Sequence, residues 1–301
     1  MSTRSALRRR LRRAFIHPLE AVAVYAAYGL CATLPLDAAS AIGGFIGRAI
    51  GPHLGLSRRA ANRLRRVFPE KGEAEIAAIL RGVWDNFGRV AAEYTHLDAI
   101  RAFGTDRRLE IVGLEHFDAA RESGRPVICF SAHFGNWEMA LLAARQSGLP
   151  LNVIYRSANN RWVDKLIQRS RRDVVAGAIA KGREGAREAM TVLKSGEHLA
   201  VLVDQRMNDG IPVPFFGRPA MTAPALAQLA LKYDCVVLPT RVERLAGARF
   251  RLTVFPPLST PTGEDRHAVV LAYMTKVNEV IESWVRARPD QWLWLHRRWP
   301  D

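Results

Sequence analysis

The sequence predicts an α/β protein: a mostly parallel, helix-covered sheet preceded by an α-helical, membrane-associating N-terminal region. Three observations predict it. From about residue 109 short β-branched runs alternate with helical periods, before that the periodicity is helical throughout, and the N-terminus is both basic and apolar. With 301 residues, 49% hydrophobic and 24% charged, the chain has a globular composition and enough length for a substantial core, which excludes a disordered tail and a polytopic membrane protein.

The N-terminal region comes first. Lys+Arg total 44 against 29 Asp+Glu, a net charge of +15. The excess is concentrated, because residues 1–66 hold arginines at 4, 8, 9, 10, 12, 13, 48, 58, 59, 63, 65 and 66 against only Glu20 and Asp37. A localised basic end suits a polyanion, either nucleic acid or an anionic bilayer. Between Glu20 and Asp37 run uncharged, mostly apolar residues (21–36), and a second apolar stretch (38–47) ends at Arg48. Nucleic-acid arms lack such runs. Apolar helices flanked by arginines suit lipid phosphates, each basic residue near the surface contributing roughly 1 kcal/mol. The first run is shorter than the ~20 residues of a spanning helix, and Pro35 ends it. Basic residues on both flanks give no orientation across a membrane. The pattern reads as an interfacial or re-entrant helical pair, with a buried core helix as the alternative. Residues 1–56 are therefore a basic apolar membrane-associating segment, followed by an α/β domain over 57–301 with a helical lead-in over 57–105. No nucleic acid is expected as a partner.

In the lead-in, 57–69 reads as a basic helix stopped near Pro69. Ile76, Ile79, Leu80, Val83, Trp84, Phe87 and Val90 then follow a helical period. Strands are predicted at 109–113, 126–131, 151–155, 198–204, 235–242 and 249–255, and helices at 136–147, 159–172, 184–195, 222–233 and 267–287. The three cysteines, Cys31, Cys129 and Cys235, have no C-x-x-C spacing, so neither a disulfide framework nor a zinc site is expected, and a reducing, cytosol-facing compartment fits. No G-x-S-x-G, H-E-x-x-H or complete Walker A occurs. The glycines at 177 and 182 are followed by Arg183 and Glu184, which rules out a phosphate loop.

The segment 126–148 carries chemistry. A buried strand runs into His133-Phe-Gly-Asn-Trp-Glu138 and then a helix. Ligands of such sheets bind beyond the carboxyl ends of strands, where His133 sits. If Asn136 caps the helix, Glu138 in its first turn can reach back to an imidazole nitrogen. A carboxylate so placed fixes the tautomer and makes the histidine a general base near neutral pH. Free N–H groups at the helix start suit an oxyanion. A satisfied loop histidine beside a capping-region glutamate is the plain alternative.

H-x-x-x-x-E after a buried strand, in a chain with a basic apolar N-terminus, resembles the lysophospholipid acyltransferase superfamily. Within it the chain resembles the bacterial late acyltransferases of lipid A biosynthesis, the lauroyl/myristoyl acyltransferase family. Five blocks carry the resemblance, in order: 131–138, 153–172, 203–225, 238–241 and 289–299. It implies acyl transfer from an acyl carrier protein thioester to a hydroxyl of a Kdo-bearing lipid A precursor, an anionic lipid, with no metal or organic cofactor, at the cytoplasmic face of a bacterial inner membrane. His133 would be the base and Glu138 its orienting partner. Arg171 aligns best with the family's arginine, with Arg169 and Arg172 near enough to take that place, and its fork suits a lipid phosphate or a developing charge. Asp204 matches a family acid that organises the site or holds an arginine, and Gln205 follows it as the pattern expects. Gly135 and Asn136 are expected at the substrate, as are Phe216, Gly217 and Thr222 in a lining loop, although an aromatic pair there equally suits a core. Trp292, Trp294, His296, Arg297 and Arg298 suit either a bilayer interface or ordinary packing. Three other readings stay open: a sister acyltransferase acting on a phosphatidylinositol mannoside or glycerol phosphate, a non-catalytic basic membrane scaffold, and, against the expected partner, nucleic-acid binding through the N-terminal arginines.

Overall fold

The computed structural model describes residues 15–299. The basic run at 4–13 lies outside the described residues. A helical N-terminal part comprises α1 (His17–Ala32), α2 (Leu36–Ile50), α3 (Gly55–Val67) and α4 (Glu73–Glu93). After it follow β1 (Leu109–Val112), α5 (Leu114–Glu122), β2 (Val127–Ser131), α6 (Glu138–Gln146), β3 (Leu151–Tyr155), α7 (Arg161–Arg171), β4 (Gly177–Ala180), α8 (Arg183–Lys194) and β5 (His198–Leu202). A hairpin β6 (Ile211–Phe215) and β7 (Arg218–Thr222) precedes α9 (Ala225–Tyr233), β8 (Val236–Ala246), β9 (Arg249–Val254) and α10 (Arg266–Ala287).

Seven strands form one sheet in the order β1-β9-β8-β2-β5-β3-β4, parallel throughout except where β8 meets β9. Every residue of β2 is buried because the sheet is covered on both faces: Ile128 and Phe130 pack towards α10, and Val127 and Cys129 towards α6. This is why an uninterrupted apolar run, with no alternation, reads as a central parallel strand. The α/β class and the helical N-terminal region are as the sequence predicts. Absent from the expectation were α5, the edge strand β4 and the two-stranded hairpin.

The N-terminal helices are arranged around small residues. A Cβ built on Gly47 would stand 2.1 Å from the Trp84 carbonyl oxygen, and one on Gly88 2.1 Å from that of Gly43, so α2 and α4 touch backbone to backbone. α1 lies instead on α7, where Tyr25 donates to the Trp162 carbonyl (3.1 Å) and Asn160 to that of His17 (2.7 Å). The opposite faces are uncovered. Apart from Phe87, Val112 and Leu245, every exposed large apolar side chain of the described residues lies between Phe15 and Leu56. No helix among the described residues is long and apolar enough to cross a membrane.

Candidate active site

The position of the site follows from strand register. β2 and β5 are parallel neighbours with Ser131 opposite Leu202, so the chains leaving them run side by side. His133 and Asp204 each stand two residues beyond that last pair, and they meet. The Asp204 carboxylate accepts from His133 Nδ1 (2.8 Å), from the His133 backbone N–H (2.8 Å) and from Trp292 Nε1 (2.8 Å). Burial alone would raise the Asp204 pKa. The charge of His133, its hydrogen bonds and the charge of His296 outweigh burial and hold the carboxyl below the usual range, so it stays ionised. With Nδ1 engaged by Asp204, Nε2 is the other imidazole nitrogen of His133, and the Gln205 amide lies 3.4 Å from it. The imidazole is 16% exposed, and the Trp137 ring stands edge-on to it at 4.9 Å.

Helix α6 begins at Glu138, and Asn136 Oδ1 accepts the Glu138 N–H (3.2 Å), which leaves His133 in the loop and Glu138 in the first turn as expected. The expected contact between Glu138 and the imidazole is not made. Both oxygens of this fully buried carboxylate are already occupied: Oε2 accepts from Arg171 Nε (2.9 Å), and Oε1 from Arg171 Nη2 and from Tyr94 Oη (2.5 Å). Asp204 takes the place assigned to Glu138. Arg171, 9% exposed, gives Nε and Nη2 to Glu138 and closes the triangle with a 2.9 Å bond to Tyr94. Burial pushes the Tyr94 phenol up, so it remains the neutral donor of that group. The oxyanion role also needs correction, because the first two N–H groups of α6 are taken by the side chain and carbonyl of Asn136.

Residues 9–301 match the protein family described as bacterial lipid A biosynthesis acyltransferase. The chain belongs to this family. It is 24% identical over 273 residues to a lipid A biosynthesis acyltransferase of Haemophilus influenzae, covering 88% of this chain and 83% of the relative. It is 27% identical over 256 residues to the lipid A biosynthesis lauroyltransferase of Escherichia coli, covering 81% and 79%. A phosphatidylinositol mannoside acyltransferase of Mycobacterium tuberculosis is 26% identical over 227 residues, covering 71% and 68%.

The remaining residues expected at the site of this acyltransferase are dispersed. Arg169 and Arg172 are exposed, and Arg172 lies 3.6 Å from Asp173. Gly135 and Asn136 are turned inward. Gly135 sits at φ 55° with the Val242 carbonyl 2.0 Å from where a Cβ would stand, so no other residue fits there. The Asn136 side chain, 0% exposed, is used up by Glu93 (2.8 Å) and the Glu138 N–H. Phe216 and Gly217 form the two-residue turn between β6 and β7, both at positive φ (52° and 67°). Phe216 is buried against Phe68, Trp294 and Trp299, and Thr222 accepts from Arg298 (2.8 Å) inside the fold, so neither lines a substrate cleft. The C-terminal tryptophans are packed: Trp292, Trp294 and Trp299 are 1%, 0% and 3% exposed.

Tyr94 joins the site without any motif to announce it, and Trp292 and His296 of block 289–299, expected at a bilayer interface or in ordinary packing, stand against Asp204. A small cavity of about 30 Å³ lies between α6 and the sheet, lined by Cys129, Leu141, Leu151, Val153 and Ala200, with Trp137, Glu138 and Arg171 beside it. Among the described residues no group of three or more His, Cys, Asp and Glu could hold a metal ion.

His296 donates from Nε2 to the Asp204 carbonyl (3.1 Å), and burial, opposed by the Asp204 charge, lowers its pKa to about 4. An unfolded imidazole takes up its proton near pH 6.5, whereas the folded one refuses it until about pH 4. Its contribution to stability is therefore complete above about pH 6.5 and declines as the pH falls towards 4, by about 2 kcal/mol between pH 7 and pH 5. Denaturant unfolding at both pH values should show His296→Gln losing less stability on acidification than the parent by about that amount; equal losses would remove His296 from the acid response.

Proposed function

We propose that this acyltransferase moves a fatty acyl chain from an acyl carrier protein thioester to a hydroxyl of a Kdo-bearing lipid A precursor, at the cytoplasmic face of a bacterial inner membrane. The observation that carries the chemistry is the His133–Asp204 pair at the carboxyl ends of two adjacent parallel strands. His133 Nε2 takes the proton of the acceptor hydroxyl while the oxygen attacks the thioester carbonyl. The C–S bond then breaks, and the imidazolium returns the proton to the departing thiolate, so ester and thiol are the products. Asp204 fixes the tautomer and balances the imidazolium. Glu138 acts at one remove, anchoring the first turn of α6 through Arg171 and Tyr94. The scheme calls on no metal or organic cofactor. Acceptor and anionic membrane are matched by the uncovered apolar faces of α1 and α2 and the net charge of +15.

The test is mass spectrometry of a tetraacylated, Kdo-bearing lipid A precursor incubated with the protein and a mixed pool of acyl carrier protein thioesters. One added acyl ester, absent with His133→Ala, is expected, and its mass reads out the preferred chain length. The similarity to phosphatidylinositol mannoside acyltransferases supplies the second reading. Acylation of a phosphatidylinositol mannoside but not of the lipid A precursor would replace the first reading with it.

A further inference from the structure

The loop carrying His133 is held from beneath by a buried ionic network that takes no part in the chemistry just described. Glu93, at the end of α4, is 0% exposed, and Arg244, on β8, is 7% exposed. Glu93 Oε1 accepts from Ser40 Oγ (2.7 Å) and Arg244 Nη1 (2.5 Å), and Oε2 from Arg244 Nη2 (2.9 Å) and Asn136 Nδ2 (2.8 Å), which uses the carboxylate's full accepting capacity. Arg244 also donates from Nε to Asn86 Oδ1 (2.9 Å) and from Nη1 to the Gly247 carbonyl (2.7 Å). Asn86 completes the circuit by donating from Nδ2 to the Gly135 carbonyl (2.9 Å). From the other side, Gln291 pairs with the Arg244 backbone (2.8 and 2.9 Å), and its own carbonyl accepts the Gly135 N–H (3.0 Å).

The Gly135 N–H, the Gly135 carbonyl and the Asn136 side-chain amide N–H thus all lead to this network, while the Asn136 oxygens serve the start of α6. A buried ion pair is a poor device for stability alone, since apolar residues of similar volume often serve as well or better. What a fully satisfied polar network does supply is a single geometry. An apolar core could not fix three separate groups of one loop, a backbone N–H, a backbone carbonyl and a side-chain amide, each along its own direction.

We propose that Glu93, Arg244 and Asn86 are positioning residues for acyl transfer, holding Gly135 and Asn136 so that His133 meets Asp204 and the attacking hydroxyl in line. The proposal rests on the reading of His133 as the base. Acting at one remove, these residues govern turnover more than substrate affinity, and a displacement of about 1 Å at the base is enough to cost about a hundredfold in rate.

The test is Asn86→Asp, which keeps the acceptor facing Arg244 and removes the N–H given to Gly135. Rates are taken per folded molecule, with the folded fraction read from near-ultraviolet circular dichroism, so that a folding defect is not counted as a catalytic one. The expected result is a kcat lower by about ten- to hundredfold, KM for donor and acceptor within about threefold, and a displaced Nδ1–H proton resonance of His133. Glu110→Gln, which alters an exposed pair with Arg251 outside this network, should leave kcat and that resonance as they are. An unchanged kcat per folded Asn86→Asp molecule overturns the proposal. Should the parent transfer no acyl chain to the lipid A precursor, the resonance decides: an unmoved signal overturns the positioning role, and a displaced one supports it and places the fault with the assigned acceptor.

Discussion

Asp204→Asn should lower kcat by about two to four orders of magnitude while leaving the protein folded. The amide is isosteric and can still accept from the His133 backbone and Trp292, which now bind one carboxylate oxygen at 2.8 Å each. Facing Nδ1, however, it supplies no charge. If its NH₂ turns to the imidazole, the proton is forced onto Nε2, the nitrogen that has to be free. In a Ser-His-Asp triad the same substitution costs about 10⁴ for that reason. Glu138→Ala should differ in kind. It leaves the Arg171 guanidinium buried without its carboxylate, and breaking a buried pair costs about 3–5 kcal/mol. The loss should register first in thermal melting and only secondarily in turnover per folded molecule. Steady-state kinetics of both variants beside their melting curves checks this. Equal losses of kcat per folded molecule would return Glu138 to the role that its spacing from His133 first suggested.

That contrast marks where the sequence is informative. His133 and Glu138 are legible because a buried strand, a loop and a helix start follow one another in the chain. Their true partners are not, because the His133–Asp204 contact spans 71 residues and depends on which strands become neighbours. The register of Ser131 against Leu202 decides it, and register is a tertiary fact. Tyr94, Asn86, Glu93 and Arg244 have no motif at all, since a buried polar residue looks like a surface one until its partners are known. The strands follow the same logic. β2 and β5 are apolar enough to be predicted, whereas β4 consists of Gly177-Ala178-Ile179-Ala180, small residues at a sheet edge. The hairpin carries Pro212, Pro214 and Pro219, which argue against a strand inside a sheet and are tolerated only because β6 and β7 pair with nothing else. The C-terminal tryptophans, compatible with an interface or a core, became core because the Trp292 indole is needed at Asp204 and Arg63 draws the Trp294 carbonyl inward at 3.0 Å.

The second large effect concerns the uncovered helices. Leu19 and Val22 on α1 are 72% and 69% exposed, and Phe45 and Ile46 on α2 are 64% and 48% exposed. In water such a patch has no stabilising role, and replacing exposed side chains shifts folding stability by no more than about 0.5 kcal/mol each. At a bilayer each becomes a buried residue, and burying a Val, Leu, Ile or Phe side chain contributes about 1.5 kcal/mol or more. Replacing all four by Ser should therefore weaken partitioning by about 6 kcal/mol, roughly four orders of magnitude. The measurement is co-sedimentation with vesicles containing anionic lipid, at low and high salt. Salt screens the arginines but not the apolar contact, so the parent should remain partly bound in high salt and the fourfold variant should not. Val112→Ser, at an exposed position on β1, should change nothing. Retained binding of the fourfold variant would mean that the apolar faces are covered by something other than lipid, and it would leave the arginines to account for membrane association alone.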